Sequence, residues 1–295
     1  MEKIVECKNL THSYGQKQVL KNLSFTISKG SIFGLLGKNG AGKTTTINIL
    51  NGYLTPTSGQ CLLFGEDSQQ LSPQTKARIG YLMEGHIQYS FMNIRQIEKF
   101  YSAFYSHWNR DAYYDLMSKL DVAQTQKISR MSCGQRSQVA LGLVLAQDPD
   151  LMVLDDYSMG LDPGYRRLFI DYLKAYAASE GKTIFVTSHI IQDLDGFIDK
   201  CVIIGAGGVL FDASIEKLRT QFRKFQFKIS DGLLPLKKNG IITNIEQIRN
   251  VVTVYTFQSE KELKGYLKKS DVAFSELSEV EMSLEDAFIG LTGKY

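Results

Sequence analysis

Gly37-Lys38-Asn39-Gly40-Ala41-Gly42-Lys43-Thr44 follows the apolar run Ser31-Ile32-Phe33-Gly34-Leu35-Leu36 and leads into a helical pattern from Thr44 to Leu50. The glycines permit tight turns and a close approach of backbone to a pyrophosphate. With a buried strand leading in and a helix leading out, such a loop becomes a cradle, because N–H groups at the helix N-terminus face the phosphates. Lys43 then reaches the β- and γ-phosphates, and the Thr44 hydroxyl can ligate Mg2+. A turn that only joins strand to helix needs none of these residue types at these offsets. The chain is therefore expected to bind a nucleotide.

A second glycine-built segment, Ser132-Cys133-Gly134-Gln135, opens another helix. Taken alone, Ser132-x-x-Gln135 is a capping box and marks an ordinary helix start. The apolar strand Leu151-Met152-Val153-Leu154 follows and ends in Asp155-Asp156. At the end of a buried strand, Asp155 can hold Mg2+ directly or through water. Asp156 should point the other way, beyond the γ-phosphate, where a carboxylate could orient or deprotonate an attacking water. A solvated loop residue or helix cap is the plainer reading of Asp156.

A chain of 295 residues, 43% hydrophobic, can hold one large core and a smaller domain. No stretch offers the ~20 apolar residues of a membrane span. The charged, strand-like start Met1-Glu2-Lys3-Ile4-Val5-Glu6 argues against a signal peptide. Any membrane role is expected to come through a partner. A net charge of +3, from 34 basic and 31 acidic residues, gives no bulk attraction to nucleic acid. Cys7, Cys61, Cys133 and Cys201 are dispersed without a CxxC pair, as in a reduced cytosolic chain.

Residues 1–30 alternate apolar and polar positions around Gly15 and predict antiparallel strands. A strand at 61–64 comes next. Over 93–119 the pattern turns helical, with Ile94, Ile97, Tyr101, Phe104, Tyr105 and Trp108 recurring at three- and four-residue steps. That spacing puts Tyr101 and Phe104 in the core. Helices at 135–147 and 165–178 bracket the strand at 151–155, and another strand covers 183–187. Buried strands alternating with helices imply a largely parallel α/β sheet. Segments 201–204 and 209–211 read as a closing hairpin. After about Arg219 the texture changes, with strands at 224–230 and 251–257, a lysine-rich helix at 261–269 and a short helix at 283–292. This suggests a separate small α+β domain.

In their order along the chain, these segments resemble the motifs of the nucleotide-binding subunits of ABC transporters, over about residues 1–220. Residues 37–44 look like the Walker A loop, 151–155 like the Walker B strand, and 131–135 like the signature motif, usually LSGGQ. Gly160-Leu161-Asp162 is similar to the D-loop, and His189 in Thr187-Ser188-His189 to the switch histidine. Glu84 falls where the Q-loop glutamine belongs. Tyr14 matches the aromatic residue that stacks on adenine; an ordinary half-buried strand tyrosine is the alternative.

The resemblance implies an α/β P-loop ABC ATPase cassette over residues 1–219. It would have a RecA-like parallel core, an antiparallel β subdomain and a helical subdomain at about 86–146, with a small α+β accessory domain at 220–295. ATP and Mg2+ are the implied cofactors. Nucleotide is expected against Tyr14, Gly37, Asn39, Gly40, Ala41, Gly42, Lys43, Thr44 and Thr45, with Ser132, Gly134 and Gln135 of a second cassette closing the site. Thr44, Asp155 and Glu84 are the expected metal ligands. Asp156, His189, Lys43 and Glu84 are the expected catalytic groups. The implied partners are a second cassette, identical or different, and an integral membrane permease. That places the chain on the cytoplasmic face of the plasma membrane, with Tyr89 and Phe91 as candidates for the docking groove. The ending Val280-Glu281-Met282-Ser283-Leu284-Glu285-Asp286-Ala287-Phe288 resembles that of bacterial exporter ATPase subunits, which serve the export of drugs, peptides or lipids.

Three positions depart from the family pattern. Asp156 stands where glutamate is usual, one methylene shorter, and pulling a base back ~1 Å can cost about a hundredfold in rate. Cys133 replaces the first signature glycine, and Glu84 replaces the glutamine. ATP binding and closure of the pair are expected to survive while hydrolysis is slow. An exporter ATPase leads; the rivals are a nearly inactive regulatory cassette and a non-transport ABC ATPase acting on DNA or ribosomes. Against the last stand the single cassette, the lack of room for a long coiled coil between Thr44 and Ser132, and the lack of a basic stripe.

Overall fold

Alternating apolar residues build the first sheet. β1 (Lys3–Tyr14) and β2 (Lys17–Ser28) pair antiparallel around Gly15, whose φ of 59° is left-handed. β3 (Ile32–Gly37) then runs into α1 (Lys43–Leu50), and β4 (Ser58–Leu63) and β5 (Glu66–Asp67) return to give the order β2-β1-β4-β5. The computed structural model describes residues 2–83, 89–158, 160–179, 181–206, 208–230 and 236–293. Among these, no helix is long and apolar enough to cross a membrane.

The chain continues through α2 (Pro73–Ala77), β6 (Ile79–Leu82), α3 (Ile94–Ser102), α4 (Arg110–Ser118), α5 (Cys133–Ala146), β7 (Leu151–Asp155), α6 (Pro163–Ala177), β8 (Thr183–Thr187), β9 (Lys200–Gly205) and β10 (Gly208–Ser214). The central sheet has the order β10-β9-β3-β8-β7-β6. Its strands run parallel except β10, which folds back antiparallel on β9. All residues of β7 and β8 are buried, as expected of strands covered on both faces. Phe33, Leu35, Val153 and Phe185 face α1 and the first sheet. Leu36, Met152, Leu154 and Val186 face the opposite layer, with Val139 of α5 and Phe169 of α6.

The helical stretch over 93–119 is two helices rather than one. Asn93 forms a capping box with Gln96 at the start of α3. Asn109 starts α4 afresh by accepting the Ala112 N–H at 3.0 Å. Phe104 falls in the break between them and is 70% exposed, so its expected place in the core is corrected. The helical spacing ran past the end of the helix that would have buried it. Tyr101, still on α3, does pack against the core.

After α7 (Ile215–Gln221) a third sheet follows almost at once, with Phe222 buried in the same core as the preceding layer. It contains β11 (Arg223–Ile229), β12 (Asn244–Ile248), β13 (Val251–Thr256) and β14 (Phe274–Val280), in the antiparallel order β12-β13-β11-β14. α8 (Glu260–Lys269) covers one face through Leu263 and Leu267, against Phe225, Phe227, Val252 and Val254. α9 (Leu284–Thr292) instead joins the core under the central sheet through Leu284 and Ala287.

Candidate nucleotide site

The phosphate loop is held open by the backbone its glycines adopt. Gly40 and Gly42 have φ of 79° and 104°, values that strain any other residue. At Gly42 a Cβ would also lie 2.4 Å from Leu20 of β2, and at Gly37 one would lie 2.8 Å from Ile204 of β9. Gly42 caps α1 without a side chain, so the first N–H groups of the helix have no internal competitor for an anion. Lys43 is buried, its Nζ donating to the Gly37 carbonyl at 2.7 Å. Burial pulls its pKa down, and the charges of Asp156 and Asp155 pull it back up.

Parallel pairing sets Asp155 opposite Thr187. The Thr187 hydroxyl donates to Asp155 Oδ1 at 2.8 Å. Desolvation holds the Asp155 carboxyl above its ordinary pKa, against hydrogen bonds from Thr187 and Thr44 and the charge of Lys43. Asp156 comes next with a left-handed φ of 49°. Its N–H donates to the Thr187 carbonyl at 3.2 Å and to the Thr187 hydroxyl at 3.1 Å. The Asp156 Oδ1 accepts the His189 N–H at 3.0 Å, and His189 Nδ1 lies 2.6 Å from the same oxygen. The ring nitrogen Nε2 is then the one left for another partner.

Lys43, Thr44, Asp155, Asp156 and His189 thus meet beside one loop. Tyr14 adjoins it: half exposed, it lies edge-on to His12 and sets its hydroxyl 3.5 Å from Thr45 Oγ1. Asn39 is exposed and Ala41 half-buried on the loop, while Thr45 is buried. Ser132, Gly134 and Gln135 lie elsewhere, at the start of α5 in the layer across the central sheet from α1. There Ser132 and Gln135 do form the capping box, Ser132 Oγ accepting the Gln135 N–H at 3.2 Å and Gln135 Oε1 the Ser132 N–H at 2.9 Å. Gly134 fits because Tyr165 of α6 packs on it; a Cβ would sit 2.5 Å from the ring. Glu84 lies outside the described residues. Sequence reasoning missed Thr187, which braces both carboxylate residues; a threonine ending a strand gives no signal until the strand order is known.

A profile of the ABC transporter family matches residues 20–158. The chain is 33% identical over 212 residues to the Nod factor export ATP-binding protein I of Cupriavidus metallidurans, covering 70% of each. It is 27% identical over 301 residues to the bacitracin transport ATP-binding protein BcrA of Bacillus licheniformis, covering 99% of this chain and 98% of that one. Among solved structures, an ATP-binding subunit of an ABC transporter shares the fold with a TM-score of 0.66, at 22% identity, covering 74% of this chain and 92% of that one. A phosphate loop beside a buried strand-end carboxylate, with the family's motifs in the family's order, agrees with these similarities: the chain belongs to the ATP-binding subunits of the ABC transporter family.

Proposed function

We propose that this chain is the ATP-hydrolysing subunit of an exporter, in which two cassettes close head to tail around ATP. The observation that carries the reading is the meeting of Lys43, Thr44, Asp155, Asp156 and His189 at one loop while the second glycine segment sits on another layer of the same chain. A lone phosphate loop leaves one side of the γ-phosphate open. The α5 N-terminus of a second copy, with Ser132 and Gly134, would close it with N–H groups and a favourable dipole. ATP then joins the two cassettes, and hydrolysis releases them.

In this reading Tyr14 lies against adenine, a contact worth ~1–3 kcal/mol by analogy with base–aromatic stacking. Gly37, Asn39, Gly40, Ala41, Gly42, Lys43, Thr44 and Thr45 wrap the phosphates. The Thr44 hydroxyl and Asp155 carboxylate supply hard oxygen ligands that suit Mg2+, an ion held by few protein groups together with phosphate oxygens. Bound there, it would neutralise phosphate charge. Asp156 orients or deprotonates the attacking water, and His189 reaches the γ-phosphate through the nitrogen Asp156 does not engage. The short side chain of Asp156, tied to His189, supports slow turnover.

The division into a cassette over residues 1–219, with a helical subdomain at about 86–146, and an accessory unit over 220–295 belongs to the same proposal. A separate permease would cross the membrane, with this chain on its cytoplasmic face; relatives named for bacitracin transport and Nod factor export support the exporter assignment. Docking would use Tyr89 and Phe91, which meet edge-to-face, Phe91 being 63% exposed. A cavity of about 310 Å3 lined by Tyr53, Tyr81, Tyr101 and Tyr105 lies where β6 meets α3 and α5.

Three measurements test this. Lys43→Ala should lower steady-state ATP turnover by about a hundredfold or more, whereas Asp156→Glu should raise it; no gain on lengthening would remove the short-base explanation. Because burial raises the Asp155 pKa, its ionised form opposes folding at pH values above the ordinary carboxylate range. Asp155→Asn should therefore raise the thermal midpoint of the nucleotide-free chain near neutral pH, the gain fading as pH falls into that range. The same variant should lose Mg2+-dependent stabilisation by ATP; a lowered nucleotide-free midpoint would contradict the electrostatic account. Joint Tyr89→Ala and Phe91→Ala substitution should abolish capture of the permease, and undiminished capture would exclude that surface.

A further inference from the structure

The last helix of the chain reaches the loop that carries His189. A 3-10 turn, Ile191–Leu194, begins two residues after the histidine and ends at Asp195. Ile191 and Leu194 are buried in one core with Leu284 and Ala287 of α9. Polar bonds repeat the join. Asp195 Oδ2 accepts the Leu284 N–H at 3.1 Å, and Oδ1 accepts from the Arg219 guanidinium. Gln192 Nε2 donates to Glu285 Oε2 at 2.7 Å. Arg166 of α6 grips the same turn, its Nη1 3.0 Å from both oxygens of Asp193. Leu284 is the first residue of α9, so Asp195 takes a helix N–H that has no partner within the helix and sits at the positive end of the dipole.

α9 is itself fixed to the third sheet. Gly290 lets it lie on Tyr255 and Phe222, where a Cβ would come within 2.6 and 2.8 Å of the rings. Lys224 Nζ of β11 donates to Asp286 Oδ1 at 2.8 Å, and Asn244 Nδ2 of β12 donates to the Ile289 carbonyl at 3.1 Å. A continuous path of packed and bonded groups therefore runs from the third sheet through α9 to Asp195 and the turn that follows His189 in the chain. The histidine end is sensitive to small displacements: its backbone N–H and its ring both fall on one oxygen of Asp156. Interactions of that kind weaken steeply with misalignment.

We infer that Asp195 is a positioning residue for His189, and that the N-terminus of α9 holds it, so that the C-terminal third sheet and α9 set the geometry at the γ-phosphate. The inference rests on the proposed role of His189. Asp195 touches no reacting atom in this account. It fixes the C-terminal end of the turn that begins two residues after the histidine, and the charge that binds it comes from Arg219 and the helix terminus.

The test uses the full chain and the isosteric Asp195→Asn, alone and combined with His189→Ala. Asp195→Asn should lower kcat about tenfold, the scale of a sub-ångström misplacement, with KM for ATP nearly unchanged. In the His189→Ala background the same substitution should have no further effect, the signature of two residues acting through one another. Equal losses in both backgrounds, or an unchanged kcat in the wild-type background, would overturn the inference and leave Asp195 a fold-stabilising residue. Amide hydrogen exchange of nucleotide-free protein gives a readout independent of turnover. The His189 amide should exchange faster in Asp195→Asn, and unchanged exchange would overturn the inference even in a chain that hydrolyses no ATP. A wild type that turns over no faster than Lys43→Ala would instead count against the proposed ATPase function.

Discussion

The parallel pairing of β7 with β8, which sets Asp155 directly opposite Thr187, is the constraint from which the site follows. One threonine serves both carboxylate residues, its hydroxyl donating to Asp155 and accepting from the Asp156 N–H. The chain leaves both strands at the same edge of the sheet, so Asp156 and His189 emerge side by side. Ligands of open parallel sheets collect at that edge, outside the carboxyl ends of the strands. The same burial that makes Asp155 costly to ionise lowers the local dielectric and strengthens its attraction to Lys43. The site is built for binding rather than for stability: two buried groups of opposite charge seldom repay their desolvation by each other alone.

The central sheet also separates the two glycine segments. α1 belongs to the face shared with the first sheet, α5 to the other. Each segment is shaped by its surroundings, Gly42 by Leu20 and Gly134 by Tyr165. On the proposed reading, in which both segments bind the nucleotide's phosphates, their places on different layers suit a two-fold pair, each copy giving one segment and receiving the other. The C-terminal third sheet enters this arrangement from the side, since α9 packs under the turn that follows His189 rather than standing apart.

What the sequence made legible was local. The phosphate loop declared itself through residue types at fixed offsets, and β7 and β8 through uninterrupted apolar runs. β6 and β14 were silent. β6 is four residues long, and β14, Phe274–Val280, reads as polar because it is an exposed edge strand. Phe104 was misplaced because a side-chain period carries no mark of where its helix stops; the Asn109 cap did that. The contact of Asp156 with His189 spans 33 positions and depends on strand register, and that of Asp195 with Leu284 spans 89. Neither distance is encoded in any local pattern.

The central claim is that one copy's phosphate loop and another copy's α5 N-terminus grasp the same nucleotide. Mixing Lys43→Ala protein with Ser132→Arg protein tests it most directly. Each variant alone should be inactive, because every site in its pair is damaged on one side. A mixed pair holds one site with both sides intact, so the mixture should recover turnover, up to about a quarter of the wild-type rate for random pairing of two copies. A mixture as inactive as its components would contradict the shared site.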